Sequence, residues 1–376
     1  MMERDREESV DLAQISLRPL QLSDVDDLMV WTTDEKVTKF CTWETYSSKD
    51  QGIDFIQNRA CEFLWGRAIC LNDHAIGFIS MTSSSASDKS REKSVELGYV
   101  LGSKYWSRGI MTYVVKQVKK VAFREFPHLE RLEALVDAEN VGSQRVLEKA
   151  GFQKEGVLRK YLCRKGKSRD TIIFCVLSTD LDHQMNEGVS SKEESKSIDL
   201  TRITLRETDL SDVEDHMVWS SDAKVTEFCT WGPYTSKEEA IDFINGIPNI
   251  FSWYRAICLD NQAIGSVSVC LQRDRYREKV AEVGYILASE YWGKGIVTHV
   301  LKQVVKIVFS MYPQVERLEA LTDNENLASQ RVLEKAGFQR EGVLRNYVYV
   351  KGKSRDVAIY SFLPTDLHSE FASLKL

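Results

Sequence analysis

Apolar and polar positions alternate over residues 15–20, which predicts a half-buried strand, and the run Ser23, Asp24, Val25, Asp26 that follows predicts a capped helix start. Residues 48–60 place Ile53, Phe55 and Ile56 near helical spacing. Two apolar runs, 65–70 and 75–81, flank Asn72 and Asp73 and read as strands joined by a turn; 95–101 reads as a third strand. Beyond Gly109, the residues Tyr113, Val114, Val118, Val121 and Ala122 form the apolar stripe of a helix. A strand at 132–136, a helix at 140–150 and strands at 152–161 and 171–176 complete the order β-α-α-β-β-β-α-β-α-β-β. Hairpins mixed with helical crossovers define an α+β (mixed-sheet α/β) architecture and exclude the strict alternation of a doubly wound dinucleotide fold.

The pattern then runs a second time. All eight tryptophans form matched pairs, Trp31/Trp219, Trp43/Trp231 and Trp65/Trp253 at a separation of 188 and Trp106/Trp292 at 186. The separation shortens only between 83–93 and 272–279, where a surface loop absorbs a deletion. A repeat of roughly 180 residues is a whole duplicated domain, large enough to bury its own core. Between the copies, residues 183–200 are polar and rich in Ser, Glu and Lys, the composition of a linker. The expected organisation is a disordered segment over 1–14, one domain over 15–182, a linker over 183–200 and a second domain over 201–376.

Composition narrows the function classes. At 43% apolar and 28% charged residues the chain is of globular type, and no apolar run approaches the ~18 residues of a membrane span. Residues 1–10 carry charges of both signs and lack the apolar centre of a secretory signal, so the expected location is cytoplasmic or nucleocytoplasmic. A net charge of −6 argues against unaided nucleic-acid binding and favours a cationic substrate. The eight cysteines show no Cys-x-x-Cys spacing, and only Cys41/Cys229 and Cys70/Cys258 recur, so no metal site is expected. None of the six histidines has a histidine counterpart in the other copy, which argues against a histidine base.

Two segments carry candidate chemistry. The first joins a strand to a glycine-bearing turn and a helix: Glu96, Leu97, Gly98, Tyr99, Val100 and Leu101 lead to Tyr105, Trp106, Ser107, Arg108, Gly109, Ile110, Met111 and Thr112. Its counterpart runs from Glu282, Val283, Gly284, Tyr285, Ile286 and Leu287 to Tyr291, Trp292, Gly293, Lys294, Gly295, Ile296, Val297 and Thr298. Unpaired N–H groups in a first helical turn, with Arg108 or Lys294 beside them, suit a pyrophosphate, although a plain turn before a helix is as common. The spacing fails the Walker pattern. The second segment opens on Asp137 and Asn140, continues through Ser143 and ends at Gly151; it returns as Asp323, Asn326, Ser329 and Gly337. Helix capping by the asparagine and a terminal glycine explain part of it without any ligand.

Together these segments resemble the GCN5-related N-acetyltransferase (GNAT) superfamily, in its RimJ/RimL-like branch. The resemblance rests on the Tyr-Trp-Gly-Lys-Gly-Ile phrase, the Asn-x-x-Ser helix ending in Lys-x-Gly-Phe, and the Glu-Gly-x-Leu-Arg run with a later Asp, at Glu155 to Arg159 with Asp170 and at Glu341 to Arg345 with Asp356. It spans nearly all of each copy. It implies two tandem domains, each a mostly antiparallel sheet of about seven strands with about four helices, splayed between the fourth and fifth strands.

The resemblance further implies acetyl-CoA as cosubstrate and no metal. Pantetheine would pair with backbone of Gly98, Tyr99, Val100 and Leu101, and of Gly284, Tyr285, Ile286 and Leu287. Pyrophosphate would sit on Ser107, Arg108, Gly109, Ile110, Met111 and Thr112, and on Gly293, Lys294, Gly295, Ile296, Val297 and Thr298. Asn140 and Asn326 would bond the pantetheine arm, and Ser143 and Ser329 would donate a proton to the departing thiolate. A lysine-like amine with a pKa near ~10 must lose a proton before it attacks. Glu96 and Glu282 are the candidate bases, with a solvated strand face as the competing explanation; Asp137 and Asp323 come second.

Three departures qualify the resemblance. Ser107 replaces the first turn glycine in copy one; Met111 and Val297 stand where the family has Gly or Ala; and the position of the RimL base corresponds by spacing to Leu162 and Val348. The paired Trp43/Trp231 and Cys41/Cys229 either line an amine pocket or pack in the core. The expected reaction is acetyl transfer to a primary amine, a protein N-terminus, a lysine or a small amine, by direct attack in a ternary complex. Alternatives are a non-catalytic acyl-CoA-binding scaffold, or activity in the second copy alone. No nucleic-acid or membrane partner is expected, and the two domains would form an intramolecular pseudo-dimer.

Overall fold

The computed structural model describes residues 11–84, 88–181, 199–274 and 276–367. Residues 1–10 and 183–198 of the expected disordered segment and linker lie outside them. Residues 11–14 were expected to be disordered, but Leu12–Gln14 is a 3₁₀ turn whose Ala13 N–H is bonded by the Asp11 carboxylate. The same device starts copy two, where Asp199 caps Leu200–Arg202, so residues 199 and 200 belong to that turn and not to a linker. The chain forms two compact units, one of Met1–Glu155 with Thr171–His183, the other of Gly156–Asp170 with Gln184–Leu376. This division departs from the repeat boundary over residues 156–170.

Copy one runs β1 (Ile15–Arg18), α1 (Val25–Thr32), α2 (Glu35–Thr38), α3 (Lys49–Asp54), β2 (Trp65–Leu71), β3 (His74–Ser83), β4 (Ser94–Leu101), α4 (Ile110–Glu125), β5 (Arg131–Asp137), α5 (Val141–Lys149), β6 (Gln153–Arg164) and β7 (Lys167–Leu177). Copy two repeats it as β8 (Ile203–Arg206), α6 (Val213–Ser220), α7 (Ala223–Thr226), α8 (Lys237–Ile250), β9 (Trp253–Leu259), β10 (Gln262–Leu271), β11 (Val280–Leu287), α9 (Ile296–Met311), β12 (Arg317–Asp323), α10 (Leu327–Lys335), β13 (Gln339–Val350) and β14 (Lys353–Phe362). In the first unit β1 to β4 are antiparallel neighbours in sequence order, β4 and β5 are parallel, and β7 returns antiparallel to β5. The second unit repeats this with β8 to β12 and β14, and β13 lies antiparallel to β14.

Local chemistry explains most boundaries. Asn72 and Asp73, with φ of 50° and 67°, make the β2–β3 turn, and Asp260 and Asn261 repeat it at 51° and 69°; two residues at positive φ match the strand twist, and Asn and Asp tolerate them. The first helix begins differently from expectation. Ser23 is not its cap: the Asp24 carboxylate bonds the Gln21 N–H at 2.8 Å while Arg18 grips it with two nitrogens at 2.7 and 2.8 Å. The short α2 carries no periodic signal and exists because Asp34 bonds the Lys36 N–H.

The core of each unit lies beneath its long helix. In the first, α4 buries Ile110, Met111, Val114, Val115, Val118 and Ala122 against strand residues that include Leu97, Leu132 and Phe174. Each aliphatic side chain so buried contributes about 1.5–3 kcal/mol. The glutamates of the Glu-Gly-x-Leu-Arg phrase are structural. Fully buried Arg131 bonds Glu133 and Glu155, both at 2.7 Å, and Arg317 bonds Glu319 at 3.0 Å and Glu341 at 2.7 Å. In the second unit Arg159 also reaches Glu341, Ser361 and Asp366, which ties residues 156–170 to that unit. The later Asp serves the backbone, since Asp356 accepts the N–H of Asn346, a residue at φ 48° where the β13–β14 register slips.

Candidate active site

The parallel pairing that joins the two halves of each sheet is short. β4 and β5 are in register at Ser94/Arg131, Val95/Leu132 and Glu96/Glu133, and the pairing stops there; β11 and β12 match at Val280/Arg317, Ala281/Leu318 and Glu282/Glu319 and likewise stop. Gly98, Tyr99, Val100 and Leu101 therefore lie on a stretch of β4 that pairs with β3 on one side and has left β5 on the other. Gly284, Tyr285, Ile286 and Leu287 repeat this on β11. A divergence of two parallel strands opens a cleft flanked by backbone groups.

The glycine turn aims at the same end of the strand. Gly109 and Gly295, both at φ 78°, occupy the left-handed region as N-caps of α4 and α9. The first α-helical bonds are Tyr113 N–H to the Gly109 carbonyl and His299 N–H to the Gly295 carbonyl, each 3.0 Å. The N–H groups of Ile110, Met111 and Thr112, and of Ile296, Val297 and Thr298, thus precede the ladder, the arrangement that suits an anion. Trp106 and Trp292 fix the turns, each donating its indole N–H at 2.8 Å to the last strand carbonyl, Leu101 or Leu287. Met111 and Val297 are buried in the cores, so these departures fill apolar space. Arg108 is half-buried, and the Lys294 ammonium lies 5.3 Å over the Tyr291 ring.

At the other flank, Asn140 and Asn326 cap α5 and α10, their Oδ1 atoms accepting the Ser143 and Ser329 N–H groups at 3.1 and 3.0 Å. Each serine hydroxyl lies 2.6 Å from a tyrosine hydroxyl, Tyr99 or Tyr285, reaching across from β4 or β11. Burial pushes both phenols well above their ordinary range. The sequence reading missed these hydroxyls, assigning the tyrosines a backbone role alone; their recurrence within Gly-Tyr in both copies was the available signal.

The candidate bases sit on the opposite sheet face. Glu96 and Tyr99 are three positions apart on one strand, so their side chains leave on opposite sides. Glu96 and Glu282 are half-buried, and the Gln272 amide approaches Glu282 at 3.5 Å. Asp137 bonds the Glu139 N–H, and Asp323 the Glu325 N–H, as end-of-strand caps; burial raises the Asp323 carboxyl. Leu162 is buried, and Val348 on β13 is partly so. Trp43 packs on Trp31 and Tyr46 at ring separations of 6.5 and 5.3 Å, and Trp231 on Tyr234 at 5.1 Å, and both tryptophans are only partly buried. Cys41 and Cys229 lean on the carbonyls of Val37 and Val225. Buried His216 has no counterpart, and exposed His74 pairs with Asp27.

A family model described as the acetyltransferase (GNAT) domain matches residues 14–153 and again 202–339. The chain belongs to the GNAT acetyltransferase family. It holds two GNAT domains in tandem and is an acetyl-CoA-dependent N-acetyltransferase. It is 30% identical over 169 residues to the uncharacterized N-acetyltransferase p20 of Bacillus licheniformis, covering 43% of this chain and 93% of that one. The uncharacterized N-acetyltransferase YoaA of Bacillus subtilis is also 30% identical, over 44% of this chain and 96% of its own length. Among solved structures, a GNAT-family acetyltransferase from Bacillus anthracis matches at 24% identity with a TM-score of 0.40, covering 43% of this chain and 95% of that one. Among the described residues no helix is long and apolar enough to cross a membrane, and no cluster of three or more His, Cys, Asp or Glu side chains has metal-binding geometry.

Proposed function

We propose that each copy receives acetyl-CoA in the split between its fourth and fifth strands and transfers the acetyl group to a primary amine that enters from the opposite sheet face. The observation that carries this reading is the convergence, in both copies, of three features on one strand end: the register that stops at Glu96 or Glu282, the glycine-capped helix start, and the tyrosine–serine contact across the gap. Acetyl-CoA supplies an activated acyl carbon and takes the released electron pair on its sulfur. The first-turn N–H groups of α4 and α9 would hold the pyrophosphate. Glu96 or Glu282 would accept the amine proton, because an alkylammonium of pKa near ~10 is not a nucleophile. Ser143 or Ser329 would face the sulfur.

The net charge of −6 favours a cationic acceptor, such as a polyamine, a lysine or a protein N-terminus. Eight free cysteines fit a reducing, cytoplasmic setting. Because residues 156–170 belong with the second unit, the test keeps the chain whole. Calorimetry with CoA is expected to give two sites per chain, and thiol release from acetyl-CoA is expected with at least one of peptides, polyamines or small amines. Ser143→Ala and Ser329→Ala, alone and together, then apportion turnover between the copies. No CoA binding at millimolar ligand sinks the reading, and binding without thiol release from any amine leaves a non-catalytic acyl-CoA-binding protein.

A further inference from the structure

Gly77 on β3 and Gly265 on β10 are glycines for a packing reason: a Cβ at either would run into the carbonyl of Val100 or Ile286 on the neighbouring strand. Gly98 on β4 and Gly284 on β11 are not explained in this way. Beyond the residues next to it in the chain, a Cβ on Gly98 would have one heavy atom of the described residues within 4 Å, Ser80 Oγ at 3.4 Å. A Cβ on Gly284 would have only Ser268 Oγ, at 3.0 Å, a hydroxyl that can turn away. Both glycines lie in ordinary strand backbone, outside the left-handed region. A glycine inside a strand gives up conformational entropy and side-chain packing; where neither φ nor a neighbouring backbone requires it, it marks the close approach of something else.

The place of these glycines says what approaches. Alternation along the strand puts Gly98 on the same face as Glu96 and opposite to Tyr99, and Gly284 on the same face as Glu282. The β4–β5 register ends at Glu96 and the β11–β12 register at Glu282, so each glycine is the next residue on that face once the split has opened. Glu96 and Gly98 are partly exposed while Val95 and Leu97 are buried, and β11 repeats the pattern. Across the strand pair, Ser80 stands in register with Gly98 and Ser268 with Gly284.

We infer that Gly98 with Ser80, and Gly284 with Ser268, form the seat of the acceptor nitrogen and set which amines can reach the thioester. This rests on the reading of the split as the acetyl-CoA site. The bare glycine lets the amine come down onto the strand beside the split, and the serine oxygen accepts one of its N–H groups. A hydroxyl oxygen keeps acceptor capacity whichever way its own proton points. Same-face residues on a strand are about 6.6 Å apart, so a nitrogen over the glycine is within reach of the Glu96 or Glu282 carboxylate, directly or through one water. The ammonium gives one proton to that carboxylate before attack and a second to solvent once the C–N bond has formed. The C–S electron pair leaves on sulfur, which takes a proton from solvent. A methyl group on the floor of the seat would displace the nitrogen by about 1 Å, enough to spoil its line of attack.

The test uses the full chain and each amine that gives thiol release, paired with its analogue carrying a methyl group on the carbon beside the nitrogen. Gly98→Ala with Gly284→Ala should keep two CoA sites, with affinity changed less than about threefold, and lower kcat/KM for the amine by about 10-fold or more. The loss should be larger for the branched analogue than for its parent, a ratio that a merely structural change does not move. The urea midpoint should not fall, because alanine costs less than glycine within a strand. Ser80→Ala with Ser268→Ala should raise KM for the amine by about 3–10-fold, the worth of one hydrogen bond, with kcat changed less than about threefold. Unchanged kcat/KM for parent and branched amine in the glycine variant overturns the inference and leaves the acetyl-CoA site standing, as does a loss of CoA affinity that matches the loss of turnover. If the glycine variant does not fold, an unchanged KM for the amine in the serine variant overturns it instead. Absence of CoA binding by the unmodified chain, or of thiol release with any amine, overturns this inference together with the reading it rests on.

Discussion

The two copies agree in one half and diverge in the other. Around the split the geometry repeats closely: Tyr–Ser contacts of 2.6 Å, indole bonds of 2.8 Å and cap glycines at φ 78° appear twice. Beneath the first helix the residues change together. Copy one places Leu28 on α1, Gly66 on β2 and Phe78 on β3; copy two has His216, Tyr254 and Ser266 at these places. The aromatic ring has moved from one strand to its neighbour. Phe78 meets Phe55 and Phe63 at 5.4 and 5.6 Å, and Tyr254 meets Phe243 and Phe251 at 5.9 and 5.1 Å. A Cβ on Gly66 would lie 2.8 Å from the Phe78 ring, so a larger side chain there requires that phenyl to move or be replaced. A cosubstrate bound at the split of both copies, as proposed, would account for the fixed half. The divergent half, beneath α1 and α6, has been repacked as a unit.

The strongest break of this comparison is the compensating swap. Tyr254→Gly in copy two removes a buried ring and is expected to cost about 3–5 kcal/mol, as large-to-small aromatic substitutions do. Adding Ser266→Phe should return more than half of that loss, since it rebuilds the arrangement of copy one. Urea unfolding of the full chain, following the transition of the second unit, measures both. A double variant no more stable than Tyr254→Gly would show that the two packings are not interchangeable.

Much of this was legible beforehand, for reasons the residues make plain. The strands, the α4 stripe and the Asn72–Asp73 turn follow from period and turn chemistry, which act locally. The glycine turn was legible as a helix start, and the resemblance supplied its ligand. Features that depend on contacts distant in sequence were not legible. Glu155 and Glu341 read as motif letters, yet each is a buried partner of an arginine 24 residues earlier. Assignment of 156–170 to the second unit depends on Arg159 meeting Glu341, a separation of 182 residues. The Tyr99–Ser143 contact crosses 44 residues, and only the recurrence of Gly-Tyr in both copies pointed to that tyrosine.

A second contrast is expected in acid. His216 is buried among Trp219, Tyr234 and Phe243, its Nδ1 has no partner among the described residues, and burial holds its pKa down to about 4 against the pull of Asp212. Unfolded, the ring ionises near ~6.5. Above that pH neither state binds the proton and His216 adds no pH dependence. Below it the unfolded state binds a proton that the folded state refuses, so stability falls as pH falls, at about 1.4 kcal/mol per unit and by about 3 kcal/mol near pH ~4. Copy one, with Leu28 there, lacks this liability. Urea midpoints at neutral and acid pH should show the second unit losing more than the first, and His216→Leu should remove most of the difference. Equal acid sensitivity before and after the substitution would refute this cause.

The smallest expected effect tests Ser107, which replaces the first turn glycine in copy one. Ser107 sits at φ 62° and Gly293 at φ 73°, so serine has adopted the left-handed conformation that glycine takes in copy two, and the turn keeps its course. The difference between the copies is thus one of cost. A non-glycine residue in that region gives up about 1–2 kcal/mol, and a glycine returns part of this as extra entropy of the unfolded chain. Ser107→Gly should stabilise the first unit by about 0.5–1 kcal/mol, and Gly293→Ser should cost the second a similar amount, with two CoA sites retained in each variant. If Gly293→Ser abolishes one site, the side chain obstructs the ligand and copy one is impaired for that reason. If both sites persist, the serine is a tolerated substitution, and a difference in turnover between the copies has to be sought elsewhere, first in the repacked half beneath α1 and α6.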